Sequence, residues 1–325
     1  MTTRLDTRQQ PEGRPLDDPQ RADDRQADAR QTARWQTDGR TVDRVGIIGA
    51  GAMGRGIAEA ALRGGLPVTL CDTTEAALVA ARATIERGLR KSVDKGTLAA
   101  DRVDPTLALL TTTGALSDLT GHPLVIEAVP ELVDLKHRVL GAAEALLDEQ
   151  AVLASNTSSI PISVLAGRLQ RPERFLGLHF FIPVPRMDLV EVIPSLATAP
   201  EVTTLAREVA ADRLGKRPVV VGDSPGFLVN RLLVPYIIAG VRMFEAGYAS
   251  AEDIDTAMRL GAGHPMGPLE LCDLIGLDII RDAGDAIWAE TRDPAAVVPG
   301  ILRRMCDLGR LGRKSGHGFH DYSGG

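Results

Sequence analysis

Residues 176–193, LGLHFFIPVPRMDLVEVI, hold a histidine, His179, and twelve positions later a carboxylate, Glu191. Both lie in runs rich in β-branched or aromatic residues, which predict two short strands. Pro183 and Pro185 interrupt the ladder between them. A hairpin turning near Pro185 would set His179 opposite Glu191. A carboxylate against an imidazole fixes its tautomer and stabilises its protonated form, as a general acid–base histidine requires. On this stretch alone the pair reads equally well as a core histidine satisfied by a nearby acid.

The pair needs a scaffold and a reactant, and the segment VDRVGIIGAGAMGRGIAEAALRGG suggests both. A buried strand (Val45–Ile48), a turn with Gly49, Gly51, Gly54 and Gly56, and a helix (Met53–Arg63) follow one another. G-x-G-x-x-G carries weight only between a strand and a helix, which is the case here. Gly49 allows the tight turn, Gly51 lets a pyrophosphate approach the backbone, and Gly54 lets helix and strand pack closely. The helix N-terminus offers N–H groups to phosphate. A second strand, Val68–Cys71, ends at Asp72, which can accept bonds from ribose hydroxyls and repel a 2′-phosphate. NAD is therefore favoured over NADP.

Further polar residues fall at predicted strand ends. Strand Leu124–Glu127 is followed by Glu131 and then Lys136, and strand Ala151–Ala154 runs into SNTSSI. Strand ends at the carboxyl edge of an α/β sheet carry ligand contacts. The plainer reading of SNTSSI is a polar turn in which Ser158 or Ser159 caps the next helix. A helix over about 74–92 has Leu78, Ile85 and Leu89 on one side and Lys91 and Lys95 at its end. From spacing alone those lysines are a solvated face.

After a last strand (Pro218–Val221) and a connector (Asp223–Gly226), the pattern becomes helical and apolar on most sides from Phe227. Asn230 is a polar residue near its start, and Pro235 is expected to kink it. Helices are expected at about 251–260, 268–289 and 295–308. The fold class is thus α/β: a Rossmann-type dinucleotide-binding domain (42–222) followed by an all-α domain (223–325). The amount of apolar helix suggests a homodimer.

Composition sets limits. The chain has 325 residues, enough for about two domains, and a formal net charge of −6. That argues against nucleic acid as a partner, without excluding a local basic pocket. Cys71, Cys272 and Cys306 are far apart, with no metal-ligand spacing, so no metal and a cytoplasmic setting are expected. No apolar run is long enough for a membrane span. Residues 1–41 are rich in Arg, Gln, Asp, Thr and Pro and read as a disordered tail. Its aspartates argue against a transit peptide.

Taken together, GAGAMGRGIA, IEAVPE, SNTSSI, GLHFF, LVEVI, PGFLVNRLL, HPMGPLELCDLIGLD and RKSGHGFHDY resemble the 3-hydroxyacyl-CoA dehydrogenase family over residues 43–322. The resemblance implies NAD-dependent oxidation of a short-chain L-3-hydroxyacyl-CoA to the 3-oxoacyl-CoA. It implies that His179 is the catalytic base and Glu191 its partner, with Ser158 and Asn230 near the substrate C3 oxygen. Gly49, Gly51, Ala52, Met53, Gly54, Asp72, Glu131, Lys136, Asn156 and Ser158 would hold NAD, with Glu131 and Lys136 around the nicotinamide ribose. Ser158, Asn230 and Lys95 would contact substrate, Lys95 at its CoA moiety.

Three positions depart from the family pattern. Gly88 stands where a CoA-contacting serine is expected. Ile182 replaces the asparagine of HFFNP, which would leave a polar neighbour unpaired at a cost of about 1–3 kcal/mol if the site is buried. His320 replaces a tyrosine and is expected to be structural. Ile182 and Gly88 leave open a second reading, the same fold acting on a non-CoA hydroxy acid such as L-gulonate or a carnitine-like substrate. A third, a non-catalytic NAD-binding protein, rests only on the tail and Ile182.

Overall fold

The structure, a computed structural model, describes residues 36–37 and 40–324. The expected tail therefore lies outside the described residues, apart from a short antiparallel pairing of Gln36–Thr37 with Arg40–Thr41. Eight strands form one sheet: β1 (Val45–Ile48), β2 (Val68–Cys71), β3 (Leu110–Thr113), β4 (Leu124–Glu127), β5 (Val152–Ser155), β6 (Phe175–Phe180), β7 (Leu189–Pro194) and β8 (Arg217–Val220). Their order is β8-β7-β6-β5-β4-β1-β2-β3. All neighbours pair in parallel except β6 and β7. The chain leaves β1 towards β2 and later returns to β4 on its other side. The crevice between the carboxyl ends of β1 and β4 is thus the switch point where α/β folds bind ligands.

Helices cover both faces, as buried parallel strands require. Helices α1 (Ala52–Arg63) and α2 (Glu75–Asp94) pack with later residues such as Val202 and Leu205 over one face, burying Ile57, Leu62, Leu78, Ile85 and Leu89. On the other face, Leu140, Ile162 and Leu165 join Val125, Leu153 and Phe227. These come from a helix Val133–Glu144, a short helix Ile162–Ala166 and the start of the second domain. A third core, with Val234, Ile237, Leu269, Leu277, Ile280 and Leu302, belongs to the helical domain.

The helical domain differs in detail from expectation. Its first helix begins at Val229 and runs to Glu245 with Pro235 inside it. Phe227 precedes it with φ of +48°, a conformation that excludes it from the helix. The single helix expected over 268–289 is two, Pro268–Ile275 and Leu277–Thr291. Gly276, at φ +115°, breaks it in a conformation that L side chains rarely adopt. The last expected helix is a short 3₁₀ turn, Pro294–Ala296, and then Gly300–Asp307. His320 is structural: its Nε2 bonds Asp255 at 2.6 Å, tying the C-terminal segment to the domain. Among the described residues no helix is long and apolar enough to cross a membrane.

Candidate active site

The antiparallel register pairs His179 with Glu191 directly, as the hairpin reading predicts. Nδ1 of His179 lies 2.6 Å from Glu191 Oε2, and both residues are buried. A carboxylate only accepts, so Nδ1 carries the hydrogen and Nε2 is left to exchange a proton. The imidazole lies close to two aromatic rings, with centroids 4.6 Å away for Phe181 and 5.6 Å for Phe227.

Glu191 has a second role that sequence reading missed. Its Oε1 accepts from the backbone N–H groups of Leu228 (3.0 Å) and Val229 (2.9 Å). One carboxylate thus orients the histidine and caps the first helix of the second domain, one residue before Asn230. The connector is held as well. Asp223 accepts from the N–H groups of Ile162 and Ser163, at 2.6 and 2.7 Å, and so caps the helix that Ser158 or Ser159 was expected to cap. The serines are drawn instead to Glu131, because their N–H groups precede that helix by a full turn.

Glu131 gathers the loop after β5. Its Oε1 accepts from Thr157 Oγ1 (2.5 Å), the N–H groups of Ser158 (2.9 Å) and Ser159 (3.0 Å), and Ser159 Oγ (3.0 Å). Burial alone would raise this carboxyl, but Lys136 and these donors outweigh it and hold it below the usual glutamate value. Asn156 Oδ1 accepts from the N–H of Phe180, the residue after His179, at 2.9 Å. Lys136 is 1% exposed, its Nζ 2.7 Å from Glu127 Oε1, 3.2 Å from Val129 O and 3.4 Å from Glu131 Oε2.

The glycine-rich turn fits a dinucleotide. Gly49 has φ of +106°, and a Cβ there would lie 2.6 Å from Ala128 O. A Cβ on Gly54 would lie 1.7 Å from Gly49 O. At Gly51 a Cβ would meet no protein atom within 4 Å, which is the open space a pyrophosphate needs. Helix α1 opens there with no side-chain cap and no acid in its first turn, so its N–H groups stay available to an anion. Ala52 and Met53 form that first turn. Asp72 accepts from the N–H groups of Ala50 (2.8 Å) and Thr74 (2.9 Å) and borders a hollow of about 580 Å³ with Leu78, Val79 and Thr112.

A larger cleft of about 900 Å³ opens between α1, α2 and the tip of the β6–β7 hairpin. Lys91, Lys95, Arg55, Arg87 and Arg186 are among its cations, against Glu59 and Asp94. Ile182 lines it and is 64% exposed, so the cost expected of a buried polar mismatch does not arise. Gly88 is packed against Glu59, whose Oε2 would lie 2.5 Å from a Cβ there, and Glu59 in turn bonds Arg63 at 2.6 Å. A serine at position 88 would require the Glu59 carboxylate to shift from its place beside Arg63. Lys216, which sequence reading also missed, anchors the hairpin tip. Its buried Nζ donates to Val184 O (2.6 Å) and Met187 O (2.9 Å), and burial pushes its pKa down. No spacing rule links residue 216 to residue 184, so only the fold reveals this contact. Among the described residues no cluster of three or more His, Cys, Asp or Glu is placed to hold a metal.

Comparisons with known proteins show the family. Residues 44–224 match the family model "3-hydroxyacyl-CoA dehydrogenase, NAD binding domain", and residues 226–322 match the corresponding C-terminal domain. A 3-hydroxybutyryl-CoA dehydrogenase of Mycobacterium tuberculosis is 45% identical over 282 residues, 86% of this chain and 99% of that protein. The human mitochondrial hydroxyacyl-coenzyme A dehydrogenase is 42% identical over 289 residues, 86% of this chain and 91% of that protein. The crystal structure of (S)-3-hydroxybutyryl-CoA dehydrogenase from Ralstonia eutropha superposes with a TM-score of 0.85 at 40% identity, covering 87% of this chain and 99% of that one. The chain belongs to the 3-hydroxyacyl-CoA dehydrogenase family.

Proposed function

We propose that this protein oxidises short-chain L-3-hydroxyacyl-CoA thioesters to 3-oxoacyl-CoA with NAD, and catalyses the reverse. The observation that carries the reading is the buried His179–Glu191 pair, in a chain with an open pyrophosphate turn at Gly51. His179 Nε2 accepts the proton of the C3 hydroxyl, and Glu191 stabilises the imidazolium that forms. Ser158 and Asn230 steady the C3 oxygen. Gly49, Gly51, Ala52, Met53, Gly54, Asp72, Glu131, Lys136, Asn156 and Ser158 would hold the dinucleotide, and NAD there would supply the acceptor for the C3 hydride. Lys95 and its basic neighbours in the large cleft suit the phosphates of CoA, despite the acidic net charge.

The protein acts as a cytoplasmic homodimer, with residues 42–222 as the dinucleotide domain and 223–325 as the substrate and dimerisation domain. Three buried free cysteines fit a reducing compartment. Leu232, Leu260 and Ile279 of the helical domain are 69%, 83% and 52% exposed, which fits a further interface. The test is NADH oxidation with acetoacetyl-CoA beside free acetoacetate. Turnover confined to the thioester supports the reading. Turnover of the free acid alone favours a non-CoA hydroxy acid, and no turnover with any 3-oxoacyl-CoA overturns the assignment.

A further inference from the structure

Glu127 is the last residue of β4, at the switch point, and is 0% exposed. Its Oε1 accepts from the N–H of Val129 (2.6 Å) and from Lys136 Nζ (2.7 Å), and its Oε2 accepts from Ser155 Oγ (2.6 Å). One carboxylate therefore ties together the two loops that leave adjacent strands, 128–131 after β4 and 155–159 after β5. The first packs on the glycine-rich turn, where Ala128 N–H donates to Ile48 O at 2.7 Å. The second carries Asn156 and Ser158. Lys136 completes the tie from the other side: its Nζ donates to Glu127 and Val129 O and forms an ion pair with Glu131. Through that ion pair Lys136 acts on Glu131, which in turn holds the N–H groups of Ser158 and Ser159.

We propose that Glu127 is a positioning residue for the nicotinamide end of the site: through Lys136 and Glu131 on one side and Ser155 on the other, it sets the loop that presents Ser158. This deepens, and rests on, the NAD-dependent reading above. In Glu127→Gln the amide retains an acceptor for Val129 but removes one of the two carboxylates beside Lys136, leaving Glu131 as the other. Lys136 then moves onto Glu131, in competition with the serine N–H groups. The large basic cleft is walled by α1, α2 and the hairpin tip, and Glu127 is not among its lining residues, so the CoA end is expected to be unchanged. The expected signature is a split between the two ligands, which general loosening of the protein would not produce.

The experiment compares wild type, Glu127→Gln and the milder Ser155→Ala, well below their melting temperatures. NADH affinity is read by fluorescence titration and acetoacetyl-CoA affinity by calorimetry. Turnover is followed in parallel. Glu127→Gln is expected to weaken NADH about fivefold or more and lower kcat about tenfold, with acetoacetyl-CoA affinity within twofold of wild type. Ser155→Ala is expected to show the same split at a few-fold, and it decides the matter if Glu127→Gln does not fold. Unchanged NADH affinity in the variants, or equal losses for both ligands, overturns the proposal. Binding is read without turnover, so an inactive wild type would count against the dehydrogenase reading and leave this result standing.

Discussion

On the glycine-rich wall of the proposed site, the groups offered to a ligand are backbone: the N–H groups at the start of α1 and the bare Cα of Gly51. On the histidine wall they are buried side chains, each held by a partner on another element. His179 is held by Glu191, Glu191 also caps the helix at Val229, and Asn156 holds the N–H of Phe180. A backbone wall needs only a strand, a turn and a helix in sequence, and its demand on side chains is that they be absent. A side-chain wall needs several strands in register before any one group is placed. The first kind of site is local and the second is a product of the whole sheet. Substitutions should therefore separate folding from binding on the glycine wall, and chemistry from binding on the histidine wall.

The largest effect is expected at His179. His179→Ala should lower kcat by about 10²–10⁴, the usual contribution of general acid–base catalysis, while NADH affinity stays near wild type. A fall in NADH binding of similar size would erase the contrast between the walls. On the glycine wall, Gly54→Ala forces a Cβ against Gly49 O and should lower stability by about 1–3 kcal/mol or more. Gly51→Ala meets no protein atom and should leave the melting temperature unchanged while weakening NADH about tenfold. Equal stability in the two variants would show that the turn is not packed as described.

A smaller effect is expected from Lys216→Met. It leaves Val184 O and Met187 O without their donor, at a cost of about 1–2 kcal/mol, partly offset by removing a buried charge. The hairpin tip should loosen and KM for acetoacetyl-CoA should rise a few-fold, with NADH affinity unchanged. The smallest effect is a pH dependence at Glu131. Its carboxyl is held below the ordinary 4.5, so the unfolded chain binds the proton more readily. Its contribution to stability is complete above about 4.5 and is lost as pH falls through the lower folded-state value. The difference in melting temperature between wild type and Glu131→Gln should therefore shrink from pH 7 to pH 4, and a constant difference would contradict this role.

Legibility followed the same division. Strands Val68–Cys71 and Leu124–Glu127 and the glycine turn could be read from adjacent residues with the bounds they have in the fold. The His179–Glu191 pairing was legible because a hairpin is itself a local device. The capping role of Asp223 was not, since it joins residues about sixty positions apart and Ser158 and Ser159 offered a nearer candidate. The break at Gly276 is not legible, because a glycine inside an apolar helical pattern is usually tolerated. Ile182 raised a concern that only its exposure removes.

By itself, the sequence determined the α/β class, the dinucleotide turn and the residue types for proton transfer, because these depend on periodicity and on neighbours in the chain. Tertiary structure decided what holds them. It placed Glu191 between the base and the second domain, Lys216 under the hairpin tip and Glu127 between two loops. Apart from the His179–Glu191 hairpin pair, those contacts join residues whose separation in sequence carries no signal. A buried carboxylate or ammonium must find partners wherever the packed fold brings donors and acceptors within reach.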